Sequence, residues 1–302
     1  MEIWLENILS KFKIYKPSSV VQIYKSSWDV DDAYILKFNE NQCELDKSIL
    51  LNRLLLSKGV SVVEHMDTAE GEPYVYADDK YWCLMKKIKG VCLNPFLGDI
   101  KNNGVILGKA VAKIHGALKS IEDKAEVYDV NFFNEISWME EEFEKNGVVF
   151  NDGVRERVYA FRQVYEALPR QLIHRDLHTS NLLYEGGAFS YLDFDLSQKN
   201  VRIFDIVYLA CSQLIDNYKE EARLKQWCGL FDGILQGYSE TMPLSADEMK
   251  AMPALFVFSE ALFAAFYLKI GEKENAEKYV GMTNWLHENI EAVIYAEREN
   301  LY

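Results

Sequence analysis

Apolar positions recur every second residue through much of the first third of the chain and at intervals of three and four beyond about Gly90. Val20-Val21-Gln22-Ile23-Tyr24 and Ala33-Tyr34-Ile35-Leu36-Lys37-Phe38 show the alternation of half-buried strands, and the polar stretch Lys25 to Asp32 between them predicts a hairpin turn. Leu45, Ile49, Leu50, Leu54 and Leu55 return at helical spacing until Gly59 stops them. Val60-Ser61-Val62-Val63, Pro73-Tyr74-Val75-Tyr76 and Tyr81-Trp82-Cys83-Leu84-Met85 revert to strand character. A small antiparallel sheet with one helix is therefore predicted for residues 1–86.

Residues 87–302 read as mostly helical. The predicted helices are Val105 to Leu118, Phe132 to Lys145, Gly153 to Ala167, Ile203 to Ile215, Glu220 to Tyr238, Ala246 to Ile270 and Ala276 to Glu297. The clear strands there are Leu182-Leu183-Tyr184 and Ser190-Tyr191-Leu192, and the glycine pair of Glu185-Gly186-Gly187-Ala188 suits a tight turn between them. The fold class expected is α+β, a sheet-rich unit leading into a helical one.

Composition narrows the class of partner. The chain has 302 residues, is 49% hydrophobic and 26% charged, and carries a formal net charge of −14. That charge argues against nucleic acid or an anionic membrane and suits a neutral or cationic small molecule. Cys43, Cys83, Cys92, Cys211 and Cys228 form no Cys-x-x-Cys pair, and no basic-then-apolar leader opens the sequence, so reduced thiols and a cytoplasmic location are expected. The run Pro253 to Ile270 is interrupted by Ser259, Glu260 and Lys269 and reads as a buried helix, not a membrane span.

The chemistry concentrates in His174-Arg175-Asp176-Leu177-His178-Thr179-Ser180-Asn181 and Leu192-Asp193-Phe194-Asp195. Asp176 and Asn181 precede the hairpin and Asp193 follows it, 17 residues after Asp176. A hairpin returns the chain to its starting level, so these oxygens can converge. Phosphoryl transfer asks for such a set: oxygen ligands for Mg²⁺ and a separate carboxylate to orient the attacking hydroxyl. Asp176 would be the base, with Asn181 and Asp193 on the metal.

His-Arg-Asp-x-x-x-x-Asn followed by Asp-Phe-Asp resembles the catalytic and metal loops of protein kinases and of the aminoglycoside phosphotransferase, choline kinase and type II homoserine kinase superfamily. Leu36-Lys37 resembles the strand lysine that holds nucleotide phosphates. Leu84-Met85-Lys86-Lys87-Ile88-Lys89-Gly90 resembles an interlobe hinge, and Leu107 to His115 resembles the first helix of the second lobe. Asp205-Ile206-Val207-Tyr208-Leu209 resembles the aspartate-led helix after the metal loop. Gly237-Tyr238 with Pro243 to Glu248 is more loosely similar to the homoserine-kinase-like branch.

The resemblance implies a bilobal protein-kinase-like fold, with ATP and Mg²⁺ as nucleotide and cofactor. Only 11 residues separate Asp193 from Asp205, no Ala-Pro-Glu follows, and His178 stands where protein Ser/Thr kinases place a lysine. These features favour a small hydroxylated acceptor, whether amino alcohol, amino acid, sugar or aminoglycoside, over a peptide. A short bacterial protein kinase and a non-catalytic relative of the spore-coat type stay open as alternatives.

Further roles follow from this reading. Met85 and Ile88 would receive adenine at the hinge. The loop Lys25 to Asp32 has no glycine, so approach to the phosphates would rely on Ser26 and Ser27. The helical acid expected to pair with Lys37 is uncertain in position: Ser48 falls near the expected place, Glu44 and Asp46 lie nearby, and Glu44 is taken as the partner. His174 reads as loop scaffold and Asp205 as structural support, a helix cap that also fixes the loop. Glu260, a carboxylate inside an apolar helix, is the candidate for an acceptor ammonium; Asp195 is offered with it on the acceptor side, its other readings being a supporting or second-metal ligand or simply a polar residue after Phe194.

Overall fold

The structure, a computed structural model, describes residues 3–125 and 132–295. The chain divides into two compact units, Met1–Leu93 with Ser120–Val127 and Thr179–Ser197 in one, and Asn94–Lys119, Tyr128–His178 and Gln198–Tyr302 in the other. The boundary expected at residue 86 is thus displaced. Strand β7 (Val91–Cys92) pairs with β9 (Leu182–Glu185), and this pairing ties the predicted hairpin to the first unit.

The first unit is a sheet with a helix on each face. Strands β1 (Val20–Tyr24), β2 (Ser27–Val30), β3 (Tyr34–Asn39), β6 (Lys80–Lys86) and β4 (His65–Met66) lie in the order β1-β2-β3-β6-β4, and β5 (Val75–Ala77) pairs with the first residues of β6 on the side that β4 takes farther along. The predicted polar turn Lys25 to Asp32 is in fact a tight turn, a strand and a second turn, making a three-stranded meander. Asp31 and Asp32 take positive φ there, as do Asp78 and Asp79 between β5 and β6 and Gly186 and Gly187 in the later hairpin. Asp, Asn and Gly tolerate the left-handed region that such tight turns require.

Alternation along β3 and β6 sets what each face does. Leu36, Trp82 and Leu84 join the cluster formed with Leu5, Ile8 and Leu9 of α1 (Ile3–Lys11), a helix the sequence reading did not anticipate, and with Phe12 just beyond it. Cys83 and Met85 face the other way, against Leu45 and Ile49 of α2 (Gln42–Ser57). Each such side chain buried contributes about 1.5–3 kcal/mol. Lys37 is one residue on from Leu36 and so belongs to the α2 face.

In the second unit, α3 (Ile100–Lys119) meets α7 (Glu221–Ser239) through glycines four apart on both helices. A Cβ on Gly104 or Gly108 would lie 2.2 or 2.1 Å from a carbonyl oxygen of α7, and one on Gly233 or Gly237 would lie 2.1 Å from one of α3. The backbones are in contact, and only glycine fits. α8 (Ala246–Lys269) packs against α4 (Phe132–Asn146), α5 (Val154–Tyr165), α6 (Ile203–Ser212) and α9 (Lys273–Tyr295). By length and composition α8 could cross a membrane, but most of its apolar window is buried inside the protein. The end of the last predicted helix, through Glu297, lies outside the described residues. A pair of short strands not predicted from sequence, β8 (Arg170–Ile173) and β11 (Gln198–Val201), runs antiparallel and brings the chain to His174.

Candidate active site

In the first unit, Asn181 ends a 3-10 turn, β9 and β10 (Ala188–Tyr191) pair from Leu182↔Tyr191 to Glu185↔Ala188, and Asp193 leaves the far strand. The register puts Asn181 and Asp193 at one end of the hairpin, and the Asn181 carbonyl accepts from the Leu192 amide at 3.0 Å. Asp193 has φ 59°, a left-handed conformation aspartate tolerates better than most residues. Lys37 Nζ lies 3.1 Å from both Asp193 carboxylate oxygens and 2.8 Å from Asp195 Oδ2. Burial would push the Lys37 ammonium down, but the charges of Asp195 and then Asp193 overcome it and hold the group above the ordinary lysine value. Asp195 stays below the usual aspartate value: burial raises it, and the Lys37 charge with hydrogen bonds from Lys37 and Ser48 outweighs that.

Lys37 is therefore not the partner of Glu44. Glu44 is half-buried in the first turn of α2 and acts on Lys47 one turn on, while Ser48, a buried residue one turn after it, reaches Asp195. Glu44 lies on the same side of α2 as Ser48 but a turn nearer the helix start, and its charge acts on Lys47, while the ion pairs of Lys37 go to Asp193 and Asp195. Ser27 stands directly opposite Lys37 in the β2–β3 register and Ser26 occupies the tight turn before it. The acidity of the neighbouring loop is accounted for by Lys87, whose ammonium meets Asp29 and Asp32. At the expected hinge, the Met85 side chain belongs to the apolar cluster, with Ile88 packed on it. The Lys86 and Lys87 amides donate to the carbonyls of Glu64 and Ala33, so these two are already engaged.

In the second unit, Asp205 organises the loop that carries Asp176. It is fully buried in the first turn of α6; its Oδ2 accepts from the His174 amide at 2.9 Å and its Oδ1 from the Arg175 amide at 2.8 Å. The same Oδ2 lies 2.9 Å from His115 Nε2, and His115 Nδ1 lies 3.0 Å from the Tyr238 hydroxyl. The glycine contact of α3 with α7 brings these last two side chains together. Arg175 has φ 74°, a strained conformation for an arginine. It is kept by Asp205, by an ion pair with Glu135 at 2.9 Å and by the Phe204 ring 4.4 Å beneath its guanidinium.

Asp176 itself accepts from the Tyr208 hydroxyl at 2.8 Å on Oδ1, and His178 Nε2 lies 3.7 Å from Oδ2. Burial raises its pKa, but His178 and Tyr208 more than offset that, and the group stays below the ordinary aspartate value. Tyr208 is held by a stacked Phe263 ring at 4.8 Å. The sequence reading did not single out Tyr208 or His115. The available signal was spacing, since Tyr208 is one helical turn after Asp205 and faces the same loop.

Glu260, offered for an acceptor ammonium, is 1% exposed, and burial pushes its carboxyl up to about 8, lowered in part by a hydrogen bond with the Cys211 thiol. A carboxyl in that state is mostly neutral and faces the interior of the helical unit.

The profile of the phosphotransferase enzyme family matches residues 24–248, which span both the Lys37 and the Asp176 groups. The chain belongs to the phosphotransferase enzyme family. A homoserine kinase of Hyphomonas neptunium is 27% identical over 245 residues, covering 76% of this chain and 73% of that one. Among solved structures, a microcompartment-associated aminopropanol kinase superposes with TM-score 0.68 at 14% identity, covering 99% of this chain and 98% of that one. An amicoumacin kinase in complex with AMP-PNP, Ca²⁺ and Ami gives TM-score 0.66 at 16% identity, with 89% of each chain covered. The fold is thus the kinase-like fold of this phosphotransferase family, and the enzyme class is that of a small-molecule kinase.

Proposed function

We propose that this phosphotransferase moves the γ-phosphate of ATP, with Mg²⁺, to the hydroxyl of a small amino compound, a hydroxylated amino acid or amino alcohol in the cytoplasm. The observation that carries the reading is the convergence of Lys37 on Asp193 at the hairpin end that also bears Asn181. These are the residue types that grip phosphates and offer hard oxygen ligands. Asn181 and Asp193 would hold Mg²⁺, which when bound neutralises charge between the phosphates. Lys37 supplies a fixed positive charge for the phosphate oxygens.

Asp176 accepts the proton of the acceptor hydroxyl. Its Oδ1 accepts from the Tyr208 hydroxyl and its Oδ2 lies 3.7 Å from His178 Nε2, so the carboxylate is oriented from both sides. Asp205 keeps the loop in place through two backbone amides, so the carboxylate does not reorganise during transfer. Homoserine heads the list of acceptors because the curated relatives carry that name, and the net charge of −14 favours a substrate bearing an ammonium. The test is ADP release from Mg·ATP across a panel of homoserine, small amino alcohols, sugars and aminoglycosides, with the phosphorylated product identified by mass spectrometry. Turnover with a hydroxylated amine supports the reading; labelling of protein substrates alone, or no turnover with the whole panel, overturns it.

A further inference from the structure

Lys37 needs a fixed acid beside it if its ammonium is to stay aimed, and α2 offers none at the facing position. Ser48 is there instead, 4% exposed, uncharged and too short to substitute for a glutamate. Two aspartates from the hairpin exit reach the lysine, and they are not equivalent. Asp193 is the residue that the metal also requires. Asp195 makes the shorter contact, 2.8 Å to Nζ, and also accepts from the Asn39 side-chain amide of β3 at 3.4 Å. Of the two charges holding the Lys37 ammonium, that of Asp195 is the larger.

We propose that Asp195 is the standing partner of Lys37, a positioning residue that keeps the ammonium aimed. The lysine is thereby oriented from the hairpin rather than from the helix, and Asp193 is released for metal. This inference rests on the nucleotide reading given above.

A double-mutant cycle tests it, with the dissociation constant for Mg·ATP measured by calorimetry without any acceptor and folding checked by thermal melting. Lys37→Met is compared in the wild-type and Asp195→Asn backgrounds. The cycle cancels any direct effect of the Asp195 charge on the triphosphate. In the wild type, loss of the lysine weakens binding about tenfold or more, the scale of ~1.4 kcal/mol. In Asp195→Asn the same loss costs less than about threefold. If Lys37→Met costs the same factor in both backgrounds, or nothing in the wild type, the inference is wrong. An Asp195→Asn protein that merely needs more Mg²⁺, with the lysine contribution intact, makes Asp195 a metal ligand and also overturns it. Absence of Mg·ATP binding by the wild type overturns the nucleotide reading itself, and this inference with it.

Discussion

The Tyr208 hydroxyl donates to Asp176 Oδ1 at 2.8 Å, one turn of α6 beyond the Asp205 that holds the same loop by its backbone. A single helix thus fixes both where the loop runs and how the Asp176 carboxylate is turned. Removal of the donor by Tyr208→Phe takes away part of what keeps Asp176 ionised, so the carboxyl pKa rises. The acidic limb of the kcat/KM profile then moves to higher pH. Activity is lost at a higher pH than in the wild type, while the plateau above neutrality changes little. An unmoved limb would mean that Tyr208 does not act on the base.

Asp176→Asn removes the proposed proton acceptor but keeps the shape of the loop. Transfer falls by about 10²–10⁴-fold, the range for a positioned base, and the Mg·ATP dissociation constant stays within about threefold. Single-turnover product formation measured beside calorimetric ATP binding checks both halves. Wild-type turnover in the variant would remove Asp176 from the mechanism.

The α3–α7 crossing makes Gly108 a position of high sensitivity. A methyl group there meets the Ile234 carbonyl at 2.1 Å, and the backbone cannot move without separating the helices. Gly108→Ala costs about 2–4 kcal/mol of stability in urea unfolding. Gly116→Ala, on the same helix with nothing near its Cβ position, is the control and leaves stability the same or slightly raised.

Glu260 makes stability depend on pH. Its folded pKa, up at about 8, lies above the unfolded carboxyl value, so the native state binds the extra proton. Stability associated with the group is complete at pH values below the unfolded pKa and declines as pH rises toward 8, by at most ~4 kcal/mol. Glu260→Gln keeps the shape without the titration. Its melting temperature should match the wild type near pH 5 and exceed it increasingly up to pH 8; a difference constant with pH would show that Glu260 is not buried as a neutral acid.

Several features were legible because they are local. The hairpin from Leu182 to Tyr191 follows from alternation around a glycine pair, and most helical spans follow from spacing alone. Strand β2 was hidden because Ser27 and Asp29 give it a polar look, although Trp28 and Val30 alternate with them. Strands β8 and β11 were hidden for another reason. Each is four residues long, and Gln198-Lys199-Asn200-Val201 has no apolar rhythm; it is a strand only because Arg170–Ile173 lies beside it.

The sequence by itself offered the candidates for the chemistry, with Asp176 as the proposed base, Asn181 and Asp193 as the proposed oxygen ligands and Lys37 as the proposed phosphate grip, in an order and spacing that resemble those of the family. Tertiary structure decided which of these meet. Lys37 and Asp195 are 158 positions apart, and whether Glu44, Asp46 or an aspartate beyond the hairpin completes the pair depends on the turn of α2 against the sheet. Short-range periodicity encodes how an element forms, but the rotation of one packed element against another is set by the sum of many side-chain contacts. No local pattern in the chain records that sum.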